Sequence, residues 1–217
     1  MIESQANSNN GDEAEPRLMS MTFDEIAAIL RSGDSGQLNE IIKEGRVNDI
    51  NICDYVHDYS LLMVACMSGY VECARVLLDY DADITYKTSV STSALKSACL
   101  SGILDMVTLI IERGYKVTDR EIWSLLGECD IVCNTEITTT LIRYIQDVNF
   151  VSDYQPMLYR SLTFTCSGNI DIIWELIKRG AHCEVNSNMR DPLVAAAGHG
   201  NLELLLDMVM WMLRVVL

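Results

Sequence analysis

Ser60-Leu-Leu-Met-Val-Ala-Cys-Met-Ser-Gly69 returns as Ser93-Ala-Leu-Lys-Ser-Ala-Cys-Leu-Ser-Gly102, the same pattern 33 residues later. Six of the ten positions are identical: Ser60/Ser93, Leu62/Leu95, Ala65/Ala98, Cys66/Cys99, Ser68/Ser101 and Gly69/Gly102. Gly168 follows Gly102 by 66 residues, twice that period, and Gly180 follows Gly114 by the same 66. Within units a spacing of 12 recurs, from Gly33 to Gly45, Gly102 to Gly114 and Gly168 to Gly180. A fixed period of this size marks a repeat architecture.

The stretches between these glycines have helical spacing. Val71, Ala74, Leu77 and Leu78 fall on one face, and Leu104, Val107, Ile110 and Ile111 repeat the pattern one unit later. Ile170, Ile173, Leu176 and Ile177 repeat it again. Gly69, Gly102, Gly168 and Gly200 stand where one helix ends and the next begins at once, a reversal that needs positive φ. Gly45, Gly114 and Gly180 follow the last apolar residue of a second helix, where a glycine cap belongs. Each unit therefore reads as helix, tight turn, helix and loop. Such a hairpin buries its apolar faces only by stacking on its neighbours, which predicts an all-α solenoid.

At this level of detail the units resemble ankyrin repeats. Asp191-Pro-Leu-Val-Ala-Ala-Ala-Gly-His-Gly200 is similar to the family's T-P-L-H-x-A-A segment and its following glycine. The stretch from Gly69 to Ile84 resembles the second helix and its exit, and Asp49-Ile-Asn51, Asp147-Val-Asn149 and Gly180-Ala181 are further pieces of that exit. The resemblance covers about residues 22–217 and implies stacked helix-turn-helix units joined by hairpin-like loops. It divides the array into units at 21–51, 52–84, 85–117, 118–150, 151–185 and 186–217, the last incomplete. Residues 1–20, with Asp12, Glu13, Glu15 and Pro16, read as a disordered acidic tail.

Several units depart from the pattern. Gly33 precedes Gly69 by 36 residues, so a loop is longer there. The fourth unit lacks the tight-turn glycine, and Asp130 to Asn134 are expected to form a longer turn. In the fifth, Pro156 lies 12 residues before Gly168, which predicts a first helix extended or bulged by about one turn. The sixth ends on Met210-Trp-Met-Leu-Arg-Val-Val-Leu217, without a glycine cap or a polar outer face. Terminal repeats normally expose a polar face, so this reads as a truncated or alternative ending of a longer form.

The chain has 217 residues, 49% of them hydrophobic and only 7% aromatic, so its core is built from aliphatic residues, Ala, Met and Cys. Its formal net charge of −15 argues against nucleic-acid backbones and anionic membrane surfaces as partners. The same charge favours a protein partner with a basic surface. No stretch is long and apolar enough for a membrane span; the nearest, Leu204 to Leu217, carries Asp207 and Arg214. Residues 1–18 hold no apolar export segment, so the eight cysteines are expected to stay reduced in a cytoplasmic or nuclear protein.

Nothing in the sequence carries catalysis. His57, His182 and His199 belong to no metal or nucleophile motif, and Cys129 and Cys133 lack the second close pair of a zinc site. Gly33-Asp-Ser-Gly36 lacks the lysine of a phosphate loop, and no cofactor is expected. The resemblance implies instead a monomeric binding scaffold or adaptor. Its alternative is the regulatory front end of a larger enzyme or channel.

In such a stack the hairpin tips and first helices carry the variable, partner-facing residues. The tip of the second unit reads Tyr55-Val-His-Asp-Tyr59, offering Tyr55, His57 and Tyr59 as anchors. The next tip offers Tyr86, Lys87 and Val90, and the fifth unit Tyr154 and Gln155. On the first helices, Met63, Met67, Lys96 and Leu100 are expected to face the concave side. Leu141 to Asn149 resembles ankyrin loops modified by asparaginyl hydroxylases, although Asn149 is expected chiefly to bond across its exit turn.

Overall fold

Among the described residues, four first helices open at a Ser or Thr because the hydroxyl takes one of the amide hydrogens that a helix start leaves unpaired. Thr22, Ser60, Ser93 and Thr118 accept from the backbone N–H of Glu25, Met63, Lys96 and Glu121. The computed structural model describes residues 19–126, 128, 134–152, 155, 156, 170–181, 206 and 210. Among these the elements run α1 Phe23–Ser32, α2 Ser35–Lys43, α3 Leu61–Ser68, α4 Val71–Asp79, α5 Ala94–Leu100, α6 Leu104–Glu112, α7 Asp119–Leu125 and α8 Thr135–Ile142. A two-stranded hairpin follows, β1 Val151–Ser152 and β2 Gln155–Pro156, and then α9 Ile170–Lys178.

Helices pair within hairpins, α1 with α2, α3 with α4 and α5 with α6. They also stack in two rows. α1, α3 and α5 form one, and α2, α4, α6, α8 and α9 the other. Position in the stack explains helix composition. α1 is amphipathic: Phe23, Ile26, Ala27, Ile29 and Leu30 are buried, while Asp24, Glu25 and Arg31 face water. α3 lies between α1, α4 and α5, so every side chain from Leu61 to Cys66 is buried. Each large aliphatic side chain so covered contributes about 1.5–3 kcal/mol.

The reversals use the glycines as the period requires. Gly33 and Gly69 both adopt φ +77. A Cβ on Gly33 would lie 2.5 Å from the Tyr70 ring, and one on Gly69 would lie 2.7 Å from Ile103. Tyr70 and Ile103 each open the second helix of the following hairpin without a side-chain cap. They spend that position covering the neighbour's turn. In the fourth hairpin Asn134 does both jobs, accepting from Ile137 N–H and donating to the Gly102 carbonyl. At the exit of α4 the left-handed residue is Asp81, with φ +60, where α6 has Gly114.

Two apolar clusters follow the chain. The first runs from Phe23 to Leu141 and the second from Ile122 to Ala181. α7 joins them: Leu125 belongs to the first, Ile122 and Trp123 to the second. Arg179 ties α9 to α8, its guanidinium donating to the carbonyls of Ile142 and Ile145. Those carbonyls lie at and just beyond the C-terminus of α8, where the helix no longer supplies a full set of donors.

In the fifth unit Pro156 lies in β2, paired with Val151, where a residue without an N–H is tolerated because the strand is an edge. The extended first helix expected before Gly168 lies outside the described residues. Gly168, Gly200, His182, His199, Cys129, Cys133, the tail before residue 19 and residues 211–217 lie outside the described residues.

Candidate functional site

The hairpin tips are built by aspartates that organise backbone amides. Asp54 accepts from the N–H of Val56 and of His57, both at 2.6 Å, and its own N–H donates to the Tyr59 carbonyl. This folds residues 54–59 into a tight tip and leaves Tyr55 wholly exposed beside an exposed Val56. Burial alone would raise the Asp54 carboxyl, but the amide hydrogen bonds from His57 and Val56 outweigh it and hold it below the usual range. His57 is exposed and stacks on Tyr59, with ring centroids 5.7 Å apart. Tyr59 is half-buried against the core, so it supports the tip more than it extends from it.

Neighbouring tips are joined. The Tyr86 phenol donates to Asp58 Oδ1, and Ser89 N–H donates to Asp58 Oδ2 at 3.2 Å. The exits are joined in the same way. Asn51 Oδ1 accepts from Asp83 N–H at 2.7 Å, and Asn149 Nδ2 donates to the Gly180 carbonyl at 3.2 Å. Asn149 thus bonds across to the next unit.

Lys87 and Lys96 flank a groove of about 360 Å³ between the third tip and α7. Lys87 Nζ lies 3.6 Å from Glu121 Oε2 and over the Tyr115 ring, and Lys96 Nζ lies 2.9 Å from Glu128 Oε1. On the first helices Met67 and Leu100 are exposed, at 44% and 42%. Met63 is a correction: it is fully buried and presents nothing to a partner. The wheel explains why, since α3 is covered by helices on three sides and only its last turn emerges. Tyr154 lies outside the described residues.

The exposed candidates therefore separate into a tip group of Tyr55, Val56 and His57 and a helix group of Met67 and Leu100. The groove is a third region. Sequence reasoning missed Arg120 and Glu121 there. Thr118-Asp-Arg-Glu121 reads as an ordinary helix start, and only the fold turns Glu121 toward Ser93 and Tyr115. Among the described residues no helix is long and apolar enough to cross a membrane, and no group of three or more His, Cys, Asp or Glu side chains is placed to hold a metal ion.

Comparison with known proteins agrees with this geometry. Residues 26–121 match the family described as ankyrin repeats, with 3 copies. Protein phosphatase 1 regulatory subunit 27 of Mus musculus is 31% identical over 87 residues, 39% of this chain and 54% of that protein. The chain thus spans about half the length of that curated relative. The human ASB11 ankyrin repeat domain superposes with a TM-score of 0.67 and 25% identity, covering 84% of this chain and 82% of that one. A chain in the complex of the Bd0816 predatory endopeptidase from Bdellovibrio bacteriovorus with immunity protein Bd3460 shares the fold alone, with a TM-score of 0.68, 18% identity, and coverage of 86% and 99%.

Proposed function

We propose that this ankyrin-repeat chain is a non-catalytic scaffold that binds a protein partner through its second hairpin tip and the exposed ends of its first helices. The observation that carries the reading is Tyr55, wholly exposed at the summit of a tip that Asp54 holds by two amide hydrogen bonds. An aromatic presented from a backbone already fixed makes an effective anchor, because the loop need not order on binding. Met67 and Leu100 add adaptable apolar surface on equivalent turns of neighbouring helices.

A regulatory subunit among the similar proteins supports a finer form of this reading, in which binding controls the partner's activity. The fold offers a stack of covered hairpins and a row of exposed tips, which suits recognition and not bond chemistry.

Affinity capture with the wild-type chain, Tyr55→Ala and Leu100→Glu tests the reading. Partners identified by quantitative mass spectrometry should be depleted about tenfold or more by either change, as expected for loss of a hot-spot residue, while the melting temperature stays close to wild type. An identical partner set from all three proteins would remove the proposed surface.

A further inference from the structure

The groove between the third tip and α7 combines features that the scaffold reading leaves unused. Lys87, Lys96 and Arg120 converge on it in a chain with 16 Lys and Arg against 31 Asp and Glu. Arg120 is exposed and has no hydrogen bond or ion pair among the described residues. Glu121 lines it with a side chain only 9% exposed. Its Oε1 accepts from Ser93 Oγ and from the Tyr115 phenol, both at 2.6 Å. Its Oε2 is buried and pairs with the Lys87 ammonium at 3.6 Å.

We infer that this groove is a docking site for an acidic peptide segment of a partner protein, whose carboxylate side chains meet Arg120, Lys87 and Lys96. The inference rests on the scaffold reading and names the chemistry of one partner segment. Three cations on one groove of an acidic chain call for negative charge. An acidic peptide supplies it as carboxylates. A nucleic-acid backbone supplies it as phosphates, but the overall −15 charge repels a long polyanion. A short acidic segment escapes most of that repulsion, because charges more than about 8 Å away are screened at physiological salt. The charge expected for the partner as a whole is basic, so the acidic segment is a local feature that would select among partners.

Fluorescence anisotropy of a short fluorescein-labelled Glu-Ala peptide on the full chain tests the site. Saturable binding is expected, weakened about tenfold or more by Arg120→Glu and by Lys96→Glu, as loss of a charge-assisted contact implies. Arg143→Glu, an equal charge change on an exposed residue outside the groove, is expected to leave binding near wild type. Absence of saturable binding or an equal effect of Arg143→Glu would overturn the site. So would heparin binding as well as the peptide with the same dependence on Arg120. Tyr55→Ala is expected to leave the peptide affinity unchanged, so failure of the groove and failure of the tip are read in separate measurements.

Discussion

The phenol of Tyr86 donates to the carboxylate of Asp58, a residue 28 positions earlier at the adjoining tip. Asp58 itself sits at φ +62 and also takes the Ser89 N–H. Two tips are thus held by one side chain at a strained turn, and the bond to Asp58 raises the Tyr86 phenol above its usual range.

That link is open to a double-mutant cycle. Asp58→Ala and Tyr86→Phe are each expected to lower stability by about 0.5–1.5 kcal/mol, and their coupling should be at least about 0.5 kcal/mol. Asp58→Asn retains an acceptor and tolerates positive φ, so it should lose less. Urea unfolding measures all five proteins, wild type included, and strictly additive losses in the cycle would show that the tips are energetically independent.

Turn glycines differ in what surrounds them. Gly33→Ala adds a left-handed strain and a Cβ inside the Tyr70 ring, so a loss of about 2–4 kcal/mol is expected. Gly45→Ala meets open space at φ +68, and strain alone predicts about 1–2 kcal/mol. Asp81→Gly relieves positive φ at the exit of α4 and is expected to stabilise by up to about 1 kcal/mol. Melting temperatures rank the three; equal losses at Gly33 and Gly45 would deny the Tyr70 contact.

Acid sensitivity has a local source at Asp83. The Thr85 hydroxyl, and then the Thr85 N–H, donate to Oδ1 and hold this carboxyl below its ordinary 3.8. A lowered folded value means stability that is present above about pH 4 and lost as pH falls through the folded pKa. Asp83→Asn keeps the acceptor and removes the titration. Its melting temperature is expected to fall less steeply than wild type below that pH, and parallel curves would assign the acid limb to other groups.

Thiol reactivity should follow burial. Desolvation pushes the Cys66 and Cys99 thiols up to about 12, and Cys73 is also raised, chiefly by burial. Cys53 is half-exposed. Only the thiolate attacks disulfide reagents. Mapped labelling of the folded protein at mildly alkaline pH is expected to modify Cys53 well before Cys66 or Cys99, with both catching up in denaturant. Early modification of Cys66 would contradict the packed interior of α3.

Much of the fold was legible because it is local and periodic. The six identities between residues 60–69 and 93–102 set the helix starts and turns, and Gly33, Gly45, Gly69, Gly102, Gly114 and Gly180 all take positive φ. The site was less legible. Tyr55 was visible as an aromatic in a turn-rich loop, but Met63 looked equally open because helical spacing does not say how many neighbours cover a helix. The β1–β2 hairpin, with Pro156 in its second strand, was not legible because so short a pair of strands carries no strong local signal.

The sequence by itself determined the hairpin repeat, since a period of 33 with glycines at the turns leaves each apolar face only its neighbour to rest on. Tertiary structure alone decided which side chains remain free and what they meet. Glu121 faces Ser93, Tyr115 and Lys87 only because one hairpin is laid against another. Local propensity is encoded within a few residues, whereas burial and charge environment are sums over segments that the chain brings together from about thirty residues apart.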